Sequence, residues 1–416
     1  MDTVSTCASR VPTRPCSSMS SPGEGLAEVA VLGLLSPVVA GTTGERLTSD
    51  RSVVAAMVRA EASLVRALVR AGVAPVSAEP AAAAIADAEV DVRDLAERAV
   101  EGGNPVIPLV KVLRAAAAEE SAGWVHYGAT SQDILDTALM LVAGDVVRRI
   151  EAGLTRLAAT LARMADEHRS LPMVARTLTQ QAMPTTLGMR IAGWLAGVHD
   201  AVRSVRSCVP LPVSLGGAVG TNAAYGEHGP AVVEAFAAEL DLAAPVSPWH
   251  TRRTPVIDLA GALTLAGESC GKIAADVLVT AQTEIGEVRE GTGGASSVMA
   301  HKANPTQSML VVAAARELPP LASIVSAAGA PEQERPAGAW HSEWQPLRTM
   351  LRLSAGAAER TAGLVEGLRF DPDAIARNLD HLLAALGEDP GWVVAQTEHV
   401  GLWIDRVLAQ HSEVFR

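Results

Sequence analysis

Five long segments rich in alanine, leucine and arginine constrain this chain more than any other feature. Apolar residues recur in them at helical spacing, and over 256–267 they do so on more than one face, as in helices buried in a bundle. The segments lie at roughly 132–168, 184–207, 256–289, 305–329 and 345–368. With three Phe and two Tyr in 416 residues, the packing depends on Ala, Leu and Val, which let helices approach closely. The sequence therefore predicts an all-α protein with a bundle of long helices.

Breaks in the helical pattern indicate the domain organisation. Glycine and proline interrupt the pattern at 102–105 and 210–220, and Asp371-Pro372 follows the last long segment. We therefore expect four parts: a disordered leader at 1–25, an N-terminal helical domain at 26–125, a central helical bundle at 126–367, and a short C-terminal helical domain at 368–416.

Composition and charge narrow the class of partner. The 34 basic and 46 acidic residues give a net charge of -12, which argues against a broad nucleic-acid or anionic membrane surface. The four cysteines show neither CxxC nor metal-ligand spacing, so neither a metal site nor a disulfide framework is indicated. No signal peptide or membrane span is expected. We predict a cytoplasmic protein that uses no cofactor and whose partners are small molecules or further copies of itself.

The stretch GTGGASSVMAHKANP, Gly291 to Pro305, interrupts two of the apolar segments. At about 15 residues it exceeds the usual connection of roughly 4 to 6, which favours a functional loop over a passive link. Gly293 and Gly294 supply the backbone freedom that a lid closing over a substrate requires.

A second stretch, HYGATSQD, precedes the first long segment. Thr130 and Asp133 have the T-x-x-D form of a capping box, so one interpretation is simply a helix start. The other uses the same geometry, because the hydroxyls of Thr130 and Ser131 and the free N–H groups of a helix N-terminus bind a carboxylate well. His126 is a candidate ligand contact, although a single histidine beside a turn is more often structural.

Three further stretches contain polar or flexible residues. The segment 175–188 places Gln180 before a helical run, where neutral donors suit a carboxylate or form an ordinary polar turn. Arg335 precedes two tryptophans, which suits a bidentate carboxylate contact or a tryptophan-anchored helix connection. The glycine-rich Gly216–Asn222 lacks the GxGxxG spacing of a dinucleotide site, which we therefore exclude.

Taken in order, these stretches resemble the fumarase/aspartase superfamily, whose signature GSSxMPxKxNP corresponds here to ASSVMAHKANP, residues 295–305. They are most similar to the 3-carboxy-cis,cis-muconate cycloisomerase branch, through VHYGATSQDILDTAL, RTLTQQAMPTTLG, LPVSLGGAVGTNAA, PWHTRR, QTEIGEV and ERPAGAWHSEW. The resemblance covers about 30–380 and implies the three-domain, all-α fold of that superfamily with its central long-helix bundle.

The resemblance also implies the reaction of a lyase. Enzymes of this superfamily remove a proton next to a carboxylate, form an enediolate-like dianion, and expel a group from the adjacent carbon to give an alkene. Such an intermediate needs a positioned base and concentrated positive charge. By position, Ser296 takes the place of the base, and Lys302 and Asn304 take the places of residues that hold the carboxylate being charged.

The same resemblance assigns the remaining site residues and the assembly. Thr130, Ser131 and Gln180 are expected to bind the substrate carboxylate that is not being charged, with Arg335 as a further contributor. It implies a homotetramer in which one active site takes these regions and Ser296 from different subunits. The expected ligand is a small di- or tricarboxylate.

Departures from the family pattern point to a particular leaving group. Leu178 stands where fumarases and adenylosuccinate lyases have a histidine, and Met309 where they have the glutamate that orients it. The branch's MPHKRNP is altered at Ala300 and Ala303, which removes an arginine beside a site for a tricarboxylate. Elimination of a good leaving group such as nitrite from nitrosuccinate suits such a site. The alternatives are the cycloisomerase reaction itself and a catalytically silent structural or binding homologue.

Overall fold

A computed structural model describes residues 33–291, 294–295 and 303–416. Helices dominate the described residues, so the all-α prediction is confirmed. The helices are α1 Thr43–Leu47, α2 Asp50–Arg70, α3 Glu79–Ala86, α4 Val92–Gly102, α5 Val106–Ala116, α6 Glu119–Ala122, α7 Ser131–Glu167, α8 Leu187–Ser207, α9 Gly229–Leu240, α10 Thr254–Thr280, α11 Thr306–Ala327, α12 Ala339–Gly367, α13 Pro372–Leu386, α14 Pro390–Thr397 and α15 Val400–Val414. The predicted leader, 1–25, lies outside the described residues, and the domain boundaries stay predictions.

Within the described ranges, six short strands accompany the helices in three two-stranded antiparallel sheets. They are β1 Pro172–Thr177, β2 Gln180–Thr186, β3 Val288–Arg289, β4 Gly294–Ala295, β5 Ala303–Asn304 and β6 Arg369–Phe370. The pairs are β1 with β2, β3 with β6, and β4 with β5. The first of these pairs is a hairpin between two of the long helices.

The long helices α7, α8, α10, α11 and α12 form the central bundle. α7 packs against α8 and α12, and α10 packs against α11 and α12. Small residues bring α10 and α11 close together: a Cβ atom at Gly267 would lie 2.0 Å from Leu318 Cδ1, and one at Gly271 would lie 2.5 Å from Ala315 Cβ. Small residues therefore allow α10 and α11 to pack closely, as predicted from the composition.

Buried polar contacts show that α7, α10 and α12 begin at the same end of the bundle, which we call the first end. The Arg253 guanidinium, just before α10, donates to Asp136 of α7 at 2.7 Å and to Glu343 of α12 at 2.6 Å. Trp340 Nε1 donates to the same Asp136 at 2.9 Å. Because these groups are buried and mutually satisfied, they fix the three helix starts against one another.

The opposite end of the bundle, which we call the hairpin end, carries β1 and β2 together with the C-terminal helices. A small hydrophobic core joins them, made of Val174 from β1, Leu379, Leu382 and Leu383 from α13, and Val393 from α14. The hairpin overturns the expectation that residues 184–186 begin a helix. Pro184 lies buried in β2, and α8 starts only after Thr186, whose side chain accepts a hydrogen bond from Met189 N. Likewise α10 ends at Thr280, before a turn in which Gly286 has φ 65°, and does not extend to 289.

Helix α11 is the most exposed apolar helix of the bundle. Among the described helices it alone is long and apolar enough to cross a membrane by length and composition, and 28% of its most apolar window is buried. Met309 and Ile324 are among its exposed large side chains. An apolar face of this kind is typical of a surface that another protein chain covers.

Candidate active site

The first end holds the predicted carboxylate-binding hydroxyls. Thr130 is the N-cap of α7 and Ser131 its first residue, and both are half-buried. Asp133 Oδ2 accepts a hydrogen bond from Thr130 N at 2.9 Å, the contact that the T-x-x-D pattern predicts. The capping interpretation is therefore confirmed, and the two hydroxyls remain beside the helix N-terminus, where an anion binds favourably.

Asp133 organises much more than this helix start. Its Oδ1 accepts hydrogen bonds from Gly216 N at 2.7 Å and His250 Nε2 at 2.5 Å, and its Oδ2 accepts a second one from Gly217 N at 2.9 Å. The carboxylate is fully buried and has four donors. It thereby joins the start of α7 to the glycine-rich stretch and to the histidine before α10.

The glycine-rich stretch is a close-packed turn at this end. Gly217 has φ 72°, and a Cβ atom there would lie 2.9 Å from the Gly128 carbonyl oxygen, so a side chain is excluded. Arg335 closes the arrangement, because its Nη1 donates to Thr130 Oγ1 at 2.7 Å and its Nη2 donates to the Ala218 carbonyl at 2.9 Å. The structure thus brings Thr130, Ser131 and Arg335 together at the first end, without Gln180.

His126 has a buried acidic partner that the sequence analysis did not identify. Its Nδ1 lies 2.6 Å from Oε1 of Glu61, which is fully buried on α2. Burial on its own lowers the pKa of His126, but the hydrogen bond and negative charge of Glu61 outweigh it and raise that pKa above its ordinary value. His126 also has φ 61°, which is costly for a residue with a side chain and is kept by surrounding contacts. A hydrogen-bonded pair of His126 and Glu61 thus lies four residues before Thr130 along the chain.

Gln180 lies at the hairpin end and is exposed at the start of β2. The two residues before it, Leu178 and Thr179, form the hairpin tip with φ values of 50° and 66°, an unfavourable conformation for both side chains. Leu178 is 95% exposed. The hairpin tip therefore has a strained backbone and a solvent-exposed leucine side chain.

A buried carboxylate holds the base of this hairpin. Glu287 accepts hydrogen bonds from Arg176 of β1 at 2.8 and 3.1 Å and from Asn378 of α13 at 2.9 Å. Arg190 of α8 lies 3.7 Å from it. Glu287 immediately precedes β3, so one side chain fixes the hairpin, α13 and the start of the connection to residue 291.

The described residues of the 291–305 stretch, which are 291, 294–295 and 303–305, also lie at the hairpin end. Ser296 and Lys302 are outside the described residues, whereas Asn304 is half-buried in β5. β5 pairs with β4, with Gly294 opposite Asn304 and Ala295 opposite Ala303. The stretch therefore contains a short ladder, which the sequence analysis treated as loop.

The candidate residues form two groups at opposite ends of one chain. Thr130, Ser131 and Arg335 lie at the first end, whereas Gln180 and Asn304 lie at the hairpin end. The 37-residue helix α7 runs between these ends and is about 55 Å long. One chain by itself therefore does not bring all of its candidate residues to one substrate. Within the described ranges no group of three or more His, Cys, Asp or Glu side chains is arranged to hold a metal ion.

A family model and the sequences of known proteins relate this chain to the same group of enzymes. A family model described as Lyase matches residues 35–318. Nitrosuccinate lyase of Streptomyces davaonensis is 47% identical over 374 residues, covering 85% of this chain and 78% of that protein. A 3-carboxy-cis,cis-muconate cycloisomerase of Pseudomonas aeruginosa is 41% identical over 374 residues, covering 87% and 80%.

The fold comparison agrees with the sequence comparison. The crystal structure of 3-carboxy-cis,cis-muconate lactonizing enzyme from Pseudomonas putida matches with a TM-score of 0.84 and 33% identity, over 92% of this chain and 100% of that one. A fumarate lyase from Mesorhizobium matches with a TM-score of 0.75 and 31% identity, over 90% and 88%. The chain therefore belongs to the lyase family of the fumarase/aspartase superfamily and is an enzyme of that family.

Proposed function

We propose that this enzyme catalyses β-elimination from a substituted succinate, giving fumarate or a related alkene, with nitrosuccinate as the preferred substrate. The observation that carries the proposal is the 47% identity to a nitrosuccinate lyase over 85% of the chain. In the proposed reaction, nitrosuccinate loses a proton from one carbon and nitrite from the next, and the C–H electrons become the new π bond of fumarate.

The proton is taken by Ser296, and the dianion that forms is stabilised by Lys302 and Asn304. A neutral serine is a weak base, so the cation of Lys302 is needed to lower the pKa of the hydroxyl. Asn304 is the described member of this group and is held in β5 by its pairing with Gly294. No metal or cofactor has a role in the proposed reaction.

The side chains at Leu178 and Met309 support a leaving group that departs without an acid. Both are exposed on the separate chain, at 95% and 53%, and both lie at the hairpin end. An apolar side chain cannot donate a proton, so a weakly basic anion such as nitrite leaves more readily from this site than hydroxide or an amine does.

We propose that the other carboxylate of the substrate is bound by Thr130, Ser131 and Gln180, with Arg335 as a further contact. The α7 N-terminus and the hydroxyls supply neutral donors, and Arg335 supplies positive charge beside Thr130. A small dicarboxylate suits such a site better than a neutral ligand does.

A complete site then requires more than one copy of the chain, and we propose a homo-oligomer, a tetramer, in the cytoplasm. The separation of the two groups of residues supports this, because an antiparallel arrangement of two bundles sets the first end of one against the hairpin end of another. The exposed apolar face of α11 supplies a surface for that association.

The second candidate is the muconate cycloisomerase reaction, which the 41% identity to the Pseudomonas aeruginosa enzyme and the TM-score of 0.84 favour. One experiment separates the two. The purified protein is incubated with nitrosuccinate, with other 2-substituted succinates and with 3-carboxy-cis,cis-muconate, while fumarate, nitrite and lactone are followed. Equal amounts of fumarate and nitrite support our proposal. Lactone formation without nitrite release contradicts it.

A further inference from the structure

Glu290 directly follows β3 and precedes the 291–305 stretch, and its side chain contacts the residues that follow that stretch. Its Oε1 accepts hydrogen bonds from Ser308 N at 2.8 Å and Ser308 Oγ at 2.6 Å, and its Oε2 accepts one from Gln307 N at 3.0 Å. Ser308 is fully buried and Glu290 is half-buried. One carboxylate thus spans 18 residues of sequence with three hydrogen bonds.

The contact replaces a helix cap that the local sequence lacks. α11 begins at Thr306, and its N-cap residue, Pro305, has no side-chain hydrogen bond to offer. The first N–H groups of a helix have no partner within it, and a negative charge there is favoured by the helix dipole. Glu290 accepts hydrogen bonds from these first N–H groups and places a negative charge at the N-terminus of α11. All three of its donors are neutral.

The contact also fixes the position of Asn304. Asn304 lies three residues before Gln307, and on its other side β5 pairs with β4. β3, which ends one residue before Glu290, is itself paired with β6, and Glu287 anchors its start to Arg176 and Asn378. Glu290 therefore links the Asn304 region to a rigid part of the structure, which consists of the β3–β6 pair and the buried contacts of Glu287.

We propose that Glu290 is a positioning residue for the elimination, acting through Asn304 and the start of α11 without touching the substrate. This assignment rests on the proposed function, because Asn304 is the group whose placement matters for the dianion. A displaced oxyanion-stabilising group lowers turnover, whereas a displaced ground-state contact raises KM.

The test compares Glu290→Gln and Glu290→Ala with Glu317→Gln, because Glu317 is an exposed glutamate on α11, the helix that Glu290 caps. Glu290→Gln keeps the shape but has only one acceptor, so kcat should fall by about 10- to 100-fold while KM changes by less than about threefold. Glu317→Gln should match the wild type. The assignment is wrong if Glu290→Gln has the kcat of the wild type, or if Glu317→Gln loses as much kcat as Glu290→Gln does.

A second readout does not depend on any substrate. In Glu290→Ala, amide hydrogen exchange over residues 303–308 should become about tenfold faster or more, because the capping contact is lost. Formate, which is small enough to replace the missing carboxylate, should slow that exchange again and restore part of kcat, with no such effect on the wild type. If the enzyme turns over no substituted succinate, the proposed function is wrong. The amide hydrogen exchange of Glu290→Ala still tests whether Glu290 holds Asn304 in place. Unchanged exchange in Glu290→Ala contradicts it.

Discussion

Asp133 shows at the scale of one residue what a local pattern can and cannot reveal. The T-x-x-D spacing predicts its bond to Thr130, because the two residues are three positions apart. Its other donors, Gly216, Gly217 and His250, are 83, 84 and 117 residues away and follow only from the packed fold. The Glu61 partner of His126 was missed for the same reason, although the histidine itself stood in the motif.

Loss of the proposed base should abolish most of the turnover and leave the folded structure unchanged. We expect Ser296→Ala to lower kcat by about a hundredfold or more, the range for a lost general base. Ser297→Ala is the neighbouring control. Circular dichroism and steady-state kinetics on both variants check this, and a loss confined to Ser297→Ala would identify that residue as the base.

Thr130 and Ser131 should affect binding more than turnover. A carboxylate held equally in the ground and transition states contributes to KM and little to kcat, so Thr130→Ala and Ser131→Ala should each raise KM by about 5- to 20-fold. Thr160→Ala serves as the control, because Thr160 is a half-buried threonine farther along the same helix. An unchanged KM in both variants would leave this stretch with a capping role alone.

The ion pair of His126 and Glu61 predicts a pH dependence of stability. The pKa of His126 is raised in the folded protein, so the folded state holds its proton more tightly than the unfolded state. The resulting stabilisation is fully present below the unfolded pKa of about 6.5 and is lost as pH rises through the folded value. Urea unfolding of the wild type and His126→Gln from acidic to mildly alkaline pH measures it. The stability advantage of the wild type should shrink as pH rises, and an advantage that grows would refute the assignment.

At the scale of elements, helical periodicity predicted all five long helices of the bundle, but three of their ends were wrong. α8 begins at Leu187 and not at 184, α12 begins at Ala339 and not at 345, and α10 ends at Thr280 and not at 289. The hairpin of β1 and β2 was not predicted, because the polar residues of the segment 175–188 suggest a turn and because the strands are stabilised by residues far along the chain. Arg176 pairs with Glu287, 111 residues away, and Val174 packs against α13. Strands this short depend on such tertiary contacts more than on their own sequence.

Removing Glu287 should therefore destabilise the hairpin end. Its side chain is 1% exposed and that of Arg176 is 9% exposed, so Glu287→Ala leaves a buried guanidinium unpaired and should cost about 3 to 5 kcal/mol. Glu366→Ala breaks the exposed pair with Arg156 and should cost less than about 1 kcal/mol. Denaturant unfolding of both variants gives the comparison, and equal losses would argue against a specific role for Glu287.

At the scale of the whole molecule, the two groups of site residues are separated by the length of α7. Sequence motifs identified the residues of both groups, but a motif carries no information about which end of a bundle it occupies. That information comes from the contacts of Asp136 with Arg253 and Trp340 at one end, and of Arg176 with Glu287 at the other.

Mixing a variant that lacks the proposed base with one that binds substrate weakly, assayed at substrate concentrations below the wild-type KM, tests whether copies complete one another's sites. Ser296→Ala removes the proposed base and Thr130→Ala removes a hydroxyl at the first end, so mixed assemblies contain some sites in which both groups are intact. Dissociation, mixing and reassociation should restore part of the activity, and light scattering should show an oligomer. Either a fully active monomer or no rescue in the mixture would rule out shared sites.

The separation of the two ends also affects how activity depends on the amount of protein. If copies complete one another's sites as proposed, a newly synthesised chain is inert until it meets another. At low abundance, output then rises more steeply than in proportion to the number of chains, and dilution alone silences the enzyme. A cell that makes little of this protein therefore makes almost none of its product, without any inhibitor or modification.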